Sequence, residues 1–234
     1  MRLRNVVKNG HNDMLIKIFP TLLITLMFIA SCKQLSKDSK EEQQSAPKFN
    51  RALASKLDSI YTEDQKYRLQ LDSIANKHGW KSKEIQDVWQ LIKLSDSSNL
   101  VSVDAILQEH GWLGRRQVGE KGSSALFLVI QHADIETKEK YLPLLQKVVE
   151  QGDANGSNLA LLTDRIALSR GRKQIYGSQL EQDPKSQTYV LSPLEDPDHV
   201  DERRAKMDME PIADYLKAWD IVWDVDAFKK TMAK

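Results

Sequence analysis

Apolar side chains recur at helical spacing through most of this chain, and that period limits the folds open to it. Leu53, Leu57, Ile60, Tyr61, Tyr67, Leu71 and Ile74 recur at spacings of three, four and their sums. Such steps gather side chains on one face of a helix. Residues 51–77 therefore read as one long or once-broken helix that closes at His78-Gly79. A single apolar stripe has to be covered, so this helix requires other helices against it. The sequence supplies them. Residues 82–94 open with Ser82 as a cap, residues 99–109 end at His110-Gly111, and residues 122–131 and 135–150 are split at Ala133-Asp134. Residues 157–169 end before Gly171.

One stretch breaks the helical period. KQIYGSQL and QTYVL, separated by EQDPKS, are short β-prone runs around a proline-containing turn and predict a hairpin. A helix over residues 198–207, primed by Asp196-Pro197, and a last one behind Pro211 close the chain, with Trp219 and Trp223 packing the tail onto the bundle. The expected fold class is mainly α, an irregular helical bundle with one small β-hairpin near the C-terminal third. LDSIANKHGW (71–80) and VDAILQEHGW (103–112) share Asp, Ile, His, Gly and Trp at the same offsets. No third copy follows, so the pair is not a solenoid. The economical reading is two helix ends, each with a polar His, a left-handed Gly and a Trp folded onto the last turn.

The N-terminus reads as a targeting segment. Arg2, Arg4, Lys8 and Lys17 precede an apolar run from Ile18 to Ala30, the length of a signal-peptide core and short for a membrane span. The run ends in IASC, residues 29–32, which resembles the lipobox of bacterial lipoproteins, and MLIKIFPTLLITLMFIASC from Met14 is a complete short signal by itself. The resemblance implies cleavage after residue 31 and a lipid on Cys32. Residues 32–48 then form a flexible polar tether, and residues 49–234 a single helical globular domain. Lys33 stands where inner-membrane lipoproteins carry a retention Asp, and Asp38, Glu41 and Glu42 resemble the surface-export signals of Bacteroidota lipoproteins. A lipid-anchored protein of the cell envelope follows, at the outer membrane, on its periplasmic face or at the cell surface.

Charge and cysteine content exclude several classes. Lys plus Arg number 34 against 33 Asp plus Glu, without a basic run interleaved with aromatics, so the footprint of a nucleic-acid binder is missing. Lipidation would consume the only cysteine, which leaves no internal disulfide, Cys-ligated metal or cysteine nucleophile. GxSxG, HExxH, P-loop and EF-hand signatures are absent, and no cofactor or metal site is expected.

The oddly placed polar residues are the candidates for chemistry. In NLALLTDRIAL, Asp164 and Arg165 sit in the middle of a helix with apolar neighbours one turn away on most sides. Buried charges need partners, and Asp64, Arg68, His132, Asp201, Arg203 and Arg204 are the candidates. ALFLVIQH is apolar on all faces until Gln131 and His132, so its polar end emerges inside the domain or at a cleft, and Asp134 reads as an N-cap. Strand alternation in QIYGSQ would put Gln174, Tyr176 and Ser178 on one face and Gln179 on the other, with Gly177 admitting close approach of backbone or ligand. In VDERR, Asp201 and Arg204 read as an exposed i, i+3 pair, while Arg203 and Arg204 could form a fork for a carboxylate or phosphate.

Several segments in order, HGWLG, GEKG, LFLVIQHAD, TKEKYLPLL, LALLTDRIAL, GRKQIYGSQ and DPDHVDERR, resemble an uncharacterised bacterial domain-of-unknown-function family that includes Bacteroidota lipoproteins. EDQKYR at 63–68 fits its N-terminal signature, and the likeness runs over most of residues 53–219. The resemblance implies no activity. Two functions remain in view. The first is a lipid-anchored binding or interaction domain for a small molecule or protein, using Arg165, Gln174, Tyr176, Ser178, Gln179, Arg203 and Arg204. The second is an envelope hydrolase or transferase acting on an anionic substrate, with His132 as acid/base and Asp134 or Asp164 orienting it.

Overall fold

The computed structural model describes residues 48–183 and 188–232. The segment 1–31 expected as a signal peptide, Cys32 as the expected lipidation site, the expected tether up to residue 47, and residues 184–187 and 233–234 lie outside them.

The first predicted helix is once broken. Helix α1 (Arg51–Arg68) and helix α2 (Leu71–His78) meet at Leu69-Gln70, and Asn50 Oδ1 caps α1 by accepting from Leu53 N at 3.1 Å. The two helices expected at 82–94 and 99–109 are instead one, α3 (Lys83–His110). The gap expected between them covers Ser95, Asp96, Ser97 and Ser98, residues that favour local turns when left alone. Here their polar groups are taken up: Ser95 Oγ donates to Glu63 O of α1 at 3.2 Å, Ser97 Oγ to Lys93 O at 2.9 Å, and Asp96 binds Arg68 of α1. Tertiary bonds carry the helix through a locally unfavourable stretch.

Helix α4 (Arg115–His132) starts earlier than its apolar pattern and bends at Gly119, whose φ of 75° interrupts the helical path. Helix α5 (Ile135–Glu150) is capped by Asp134, as expected, and helix α6 (Gly156–Ser169) follows. Helix α4 is the central element, packed against α1, α3, α5 and α6. Its residues Ala125, Leu126 and Ile130 are fully buried in one core with Leu57, Val103 and Leu162. Apolarity on all faces of 125–130 is thus the mark of burial on all sides.

The hairpin exists but is shorter than its β-prone runs. Strands β1 (Leu180–Gln182) and β2 (Tyr189–Leu191) pair antiparallel, with Leu180 opposite Leu191. Behind them come a 3₁₀ turn, Pro197–His199, then helices α7 (Val200–Ala205), α8 (Ile212–Lys217) and α9 (Val225–Met232). This region has its own small core of Leu191, Leu194, Val200, Ile212 and Leu216. The two tail tryptophans serve this region rather than the main bundle. Trp219 stands edge-on to Tyr189 with ring centroids 4.9 Å apart, and Trp223 packs on Phe228 at 5.4 Å.

Gly79 and Gly111 end α2 and α3 with φ of 85° and 68° and ψ of 150° and −165°. These are not left-handed helical caps but the extended positive-φ region that is open almost only to glycine. The tryptophans of the two HGW segments diverge: Trp112 is buried, whereas Trp80 is 60% exposed and does not fold back. Among the described residues no helix is long and apolar enough to cross a membrane.

Candidate functional site

Asp164 is fully buried, and its partner is backbone rather than a cation. Residues 174–178 leave α6 and fold back over it. Its Oδ1 accepts from Ile175 N at 2.7 Å and Tyr176 N at 3.0 Å, and its Oδ2 from Ser178 N at 3.0 Å and Ser178 Oγ at 2.8 Å. The carboxylate thus receives four good donors, which is its full capacity for hydrogen bonds. The strand alternation expected for QIYGSQ does not occur, because successive N–H groups of this loop converge on one carboxylate instead of alternating along a ladder.

The loop's carbonyls are held from the opposite side. Arg204, 1% exposed, donates to Tyr176 O at 2.8 Å and Glu210 O at 2.6 Å and lies over the Tyr215 ring. Arg203 donates to Ile175 O at 2.8 Å, Glu195 O at 2.6 Å and Asp196 O at 2.8 Å. The exposed Asp201–Arg204 pair is therefore replaced: Asp201 Oδ1 accepts from Ile212 N at 2.7 Å, and the arginines grip carbonyls rather than forming an open fork. Gln174 is fully buried, donating to Gln179 O and Ser192 O while its Oε1 accepts from Gln179 N. Gly177, at φ 66°, faces Ile212 so closely that a Cβ would lie 2.7 Å from its Cδ1. The close approach that glycine permits here is to a core side chain. Asp164, Gln174, Ser178, Gln179, Arg203 and Arg204, with the backbone of Tyr176, form a clasp that joins α6 to α7 and α8.

Arg165 is the next residue on α6, and adjacent helical positions face different ways. Its charge acts on His132 and Lys138, in a second polar region at the C-terminal end of α4. His132, the last residue of that helix, borders two shallow grooves of about 330 and 230 Å³. The first is lined by Arg68, Trp89, Lys93 and Asp96, the second by Lys93, Asp96, Ser97 and Asp134. Arg68 Nη2 donates to both Asp96 oxygens at 2.7 and 2.8 Å, and its Nη1 to Asp64 O at 2.8 Å. This pair fixes α1 against α3 beside the grooves.

Unlike the clasp, this end is incompletely satisfied. Among the described residues, the buried side-chain polar atoms without a hydrogen-bond partner are Asp64 Oδ1, Gln131 Oε1, Arg165 Nε and Trp112 Nε1. Three of these four lie on, beside or one turn from the residues around His132. Native proteins leave few such groups, and each calls for an explanation. Burial raises the pKa of Asp64, opposed by Arg68 and Gln65, and burial lowers that of Arg165. The His132 imidazole is pushed down from 6.5 to about 3, first by burial and then by the positive charges of Arg68, Arg165 and Lys138. It is a neutral ring among cations.

No hydrogen bond joins His132 to a carboxylate among the described residues. Asp134 caps α5 by accepting from Thr137 N at 2.8 Å, and Asp164 is committed to the clasp. No group of three or more His, Cys, Asp and Glu side chains is placed to hold a metal ion among the described residues. Sequence reasoning named Asp64, Arg68 and His132 but missed Trp89, Lys93 and Lys138. The first three stand out as polar groups at a helix end or at i, i+4 spacing, whereas the last three read as ordinary surface positions.

No curated protein and no solved structure matches the chain. A family described as "Family of unknown function (DUF6624)" matches residues 52–227, from the start of α1 into α9. With three quarters of its length covered, the chain belongs to the DUF6624 family of unknown function.

Proposed function

We propose that this protein is a lipid-anchored binding domain of the bacterial cell envelope, held by a lipid on Cys32, that takes its ligand at the His132 end of α4. The observation that carries the binding site is the contrast between the two polar regions. The clasp around Asp164 uses up its donors and acceptors within the chain, as a structural network does. The His132 end borders two grooves and leaves buried polar atoms of Gln131 and Arg165 without hydrogen-bond partners, while Asp64 Oδ1 has only the Arg68 ion pair at 3.5 Å. A concave surface with convergent polar groups is the usual place for a small ligand. The anchor is supported by the signal core and IASC at residues 29–32.

Two measurements test the reading. Metabolic labelling with an alkyne-tagged fatty acid is expected to mark the wild type and not Cys32→Ser; equal labelling of both removes the anchor. A fragment mixture of neutral, anionic and cationic compounds, screened by NMR against the full-length protein in detergent, is expected to shift the ring signals of His132 and Trp89. Shifts confined to other residues, or none, would remove the site.

A further inference from the structure

Resting on that proposed site, we propose that the group recognised at the His132 end of α4 is an oxyanion, a phosphate or carboxylate, gripped by Arg165 and Lys138. Arg165 is the residue that sets this chemistry. Its Nε is buried and has no hydrogen-bond partner, and neither it nor Lys138 forms an ion pair among the described residues. A donor buried without a hydrogen-bond partner, on a half-buried arginine that has no counterion, is available to a group from outside the chain. Arginine presents a planar fork of donors that matches a carboxylate or phosphate, and lysine adds a point charge.

The charges facing this spot come from each surrounding helix. On α1 and α3, Arg68 is neutralised by Asp96, and the Asp64 carboxyl is biased by burial toward its uncharged form. Lys93 of α3 adds a positive charge at the groove. Asp134, at the start of α5, is an exposed negative charge whose effect on Lys138 is smaller than that of burial or of Arg165. From α8, Tyr215 faces Arg165, but its hydroxyl is engaged with Ser178 O at 2.9 Å. The balance is positive. His132 can then serve as a neutral hydrogen-bond partner at the edge of the anion. Burial first, and then the nearby cations, keep the imidazole uncharged; a bound anion would offset the cations, so the ring should become easier to protonate.

The test titrates inorganic phosphate and, separately, succinate into the full-length protein in detergent. The His132 ring signal, identified by its loss in His132→Gln, reports both occupancy and the ring's pKa. Saturable binding of either anion with an upward move in the His132 titration is expected, and the tighter of the two names the group. Arg165→Met and, independently, Lys138→Met should each weaken binding about tenfold or more, the scale of one lost charge-assisted contact. Lys138 is only partly buried, so that variant keeps the test alive if Arg165→Met unfolds. Fragment binding at His132 and Trp89 by neutral compounds, without response to phosphate or succinate, would overturn the oxyanion and leave the binding site standing. Anion binding that both variants retain would show that it occurs elsewhere and would overturn the assignment.

Discussion

Asp164→Asn is the sharpest perturbation of the clasp, because it changes one atom of a fully buried side chain. An amide keeps one acceptor oxygen and replaces the other with a donor. If the nitrogen takes the Oδ1 place, Ile175 N loses its acceptor at 2.7 Å, and Tyr176 N loses its 3.0 Å bond and keeps only the longer one to Oδ2 at 3.3 Å. If it takes the Oδ2 place, Ser178 N at 3.0 Å is stranded, while the Ser178 hydroxyl at 2.8 Å can rotate to accept. The second orientation is the less costly one. Losing a hydrogen bond to a charged group costs roughly 1.5–3 kcal/mol, and leaving the Ser178 amide buried without an acceptor adds about 1–3 kcal/mol. The substitution should therefore destabilise by about 3–5 kcal/mol, a large share of the roughly 5–15 kcal/mol a domain usually holds. Urea unfolding of wild type and variant, followed by circular dichroism, measures this as a lowered midpoint at unchanged slope. Ser178→Ala should cost less, about 1.5–3 kcal/mol for one bond to the carboxylate, since the backbone donors remain. A loss below about 1 kcal/mol for Asp164→Asn would refute the clasp as the element that holds the 174–178 loop.

Other outcomes follow from the same geometry. Arg165→Met should leave the thermal midpoint unchanged or raise it, since it removes a half-buried guanidinium that has an unpartnered Nε and no acidic partner among the described residues; a drop of several degrees would mean that a counter-charge is present. Gly79→Ala and Gly111→Ala should each destabilise by about 1 kcal/mol or more, because their φ of 85° and 68° disfavour a Cβ. His78→Gln and His110→Gln should cost far less in the same unfolding assay, as both side chains are exposed. His132, with a folded pKa near 3 against an ordinary 6.5, binds fewer protons folded than unfolded. Its contribution to stability is thus full above about pH 6.5 and declines as pH falls toward 3, by less than roughly 5 kcal/mol because the groove admits water. His132→Gln should flatten the stability profile across that window, and an unchanged slope would place the acid sensitivity in other groups.

Much of the architecture was legible because helix formation depends on short-range periodicity. The stripe from Leu53 to Ile74, the all-round apolar run at 125–130 and the cap at Asp134 each rest on residues a few positions apart, and each appears as expected. The adjacent charges of Asp164 and Arg165 also announced, from sequence alone, that something polar lies within the apolar bundle. The identity of their surroundings was not local information. Asp164 takes its donors from residues 11 to 14 positions away, and the loop that supplies them is held by arginines 27 to 28 positions further on. A β-prone pattern such as QIYGSQ reports a preference for extended backbone, but it cannot say whether the N–H groups meet a strand or a carboxylate.

Continuity of α3 through residues 95–98 was decided in the same way, by Ser95 donating to α1 and Asp96 accepting from it, about thirty residues away. Periodicity along the chain determined a mainly helical domain with one small hairpin. Tertiary structure alone decided that Asp164 is sealed within a clasp while its neighbour Arg165 stands with His132 and Lys138 at an unsatisfied end. The physical reason is that a buried charge is defined by what folds against it, and adjacent residues on a helix face different neighbours.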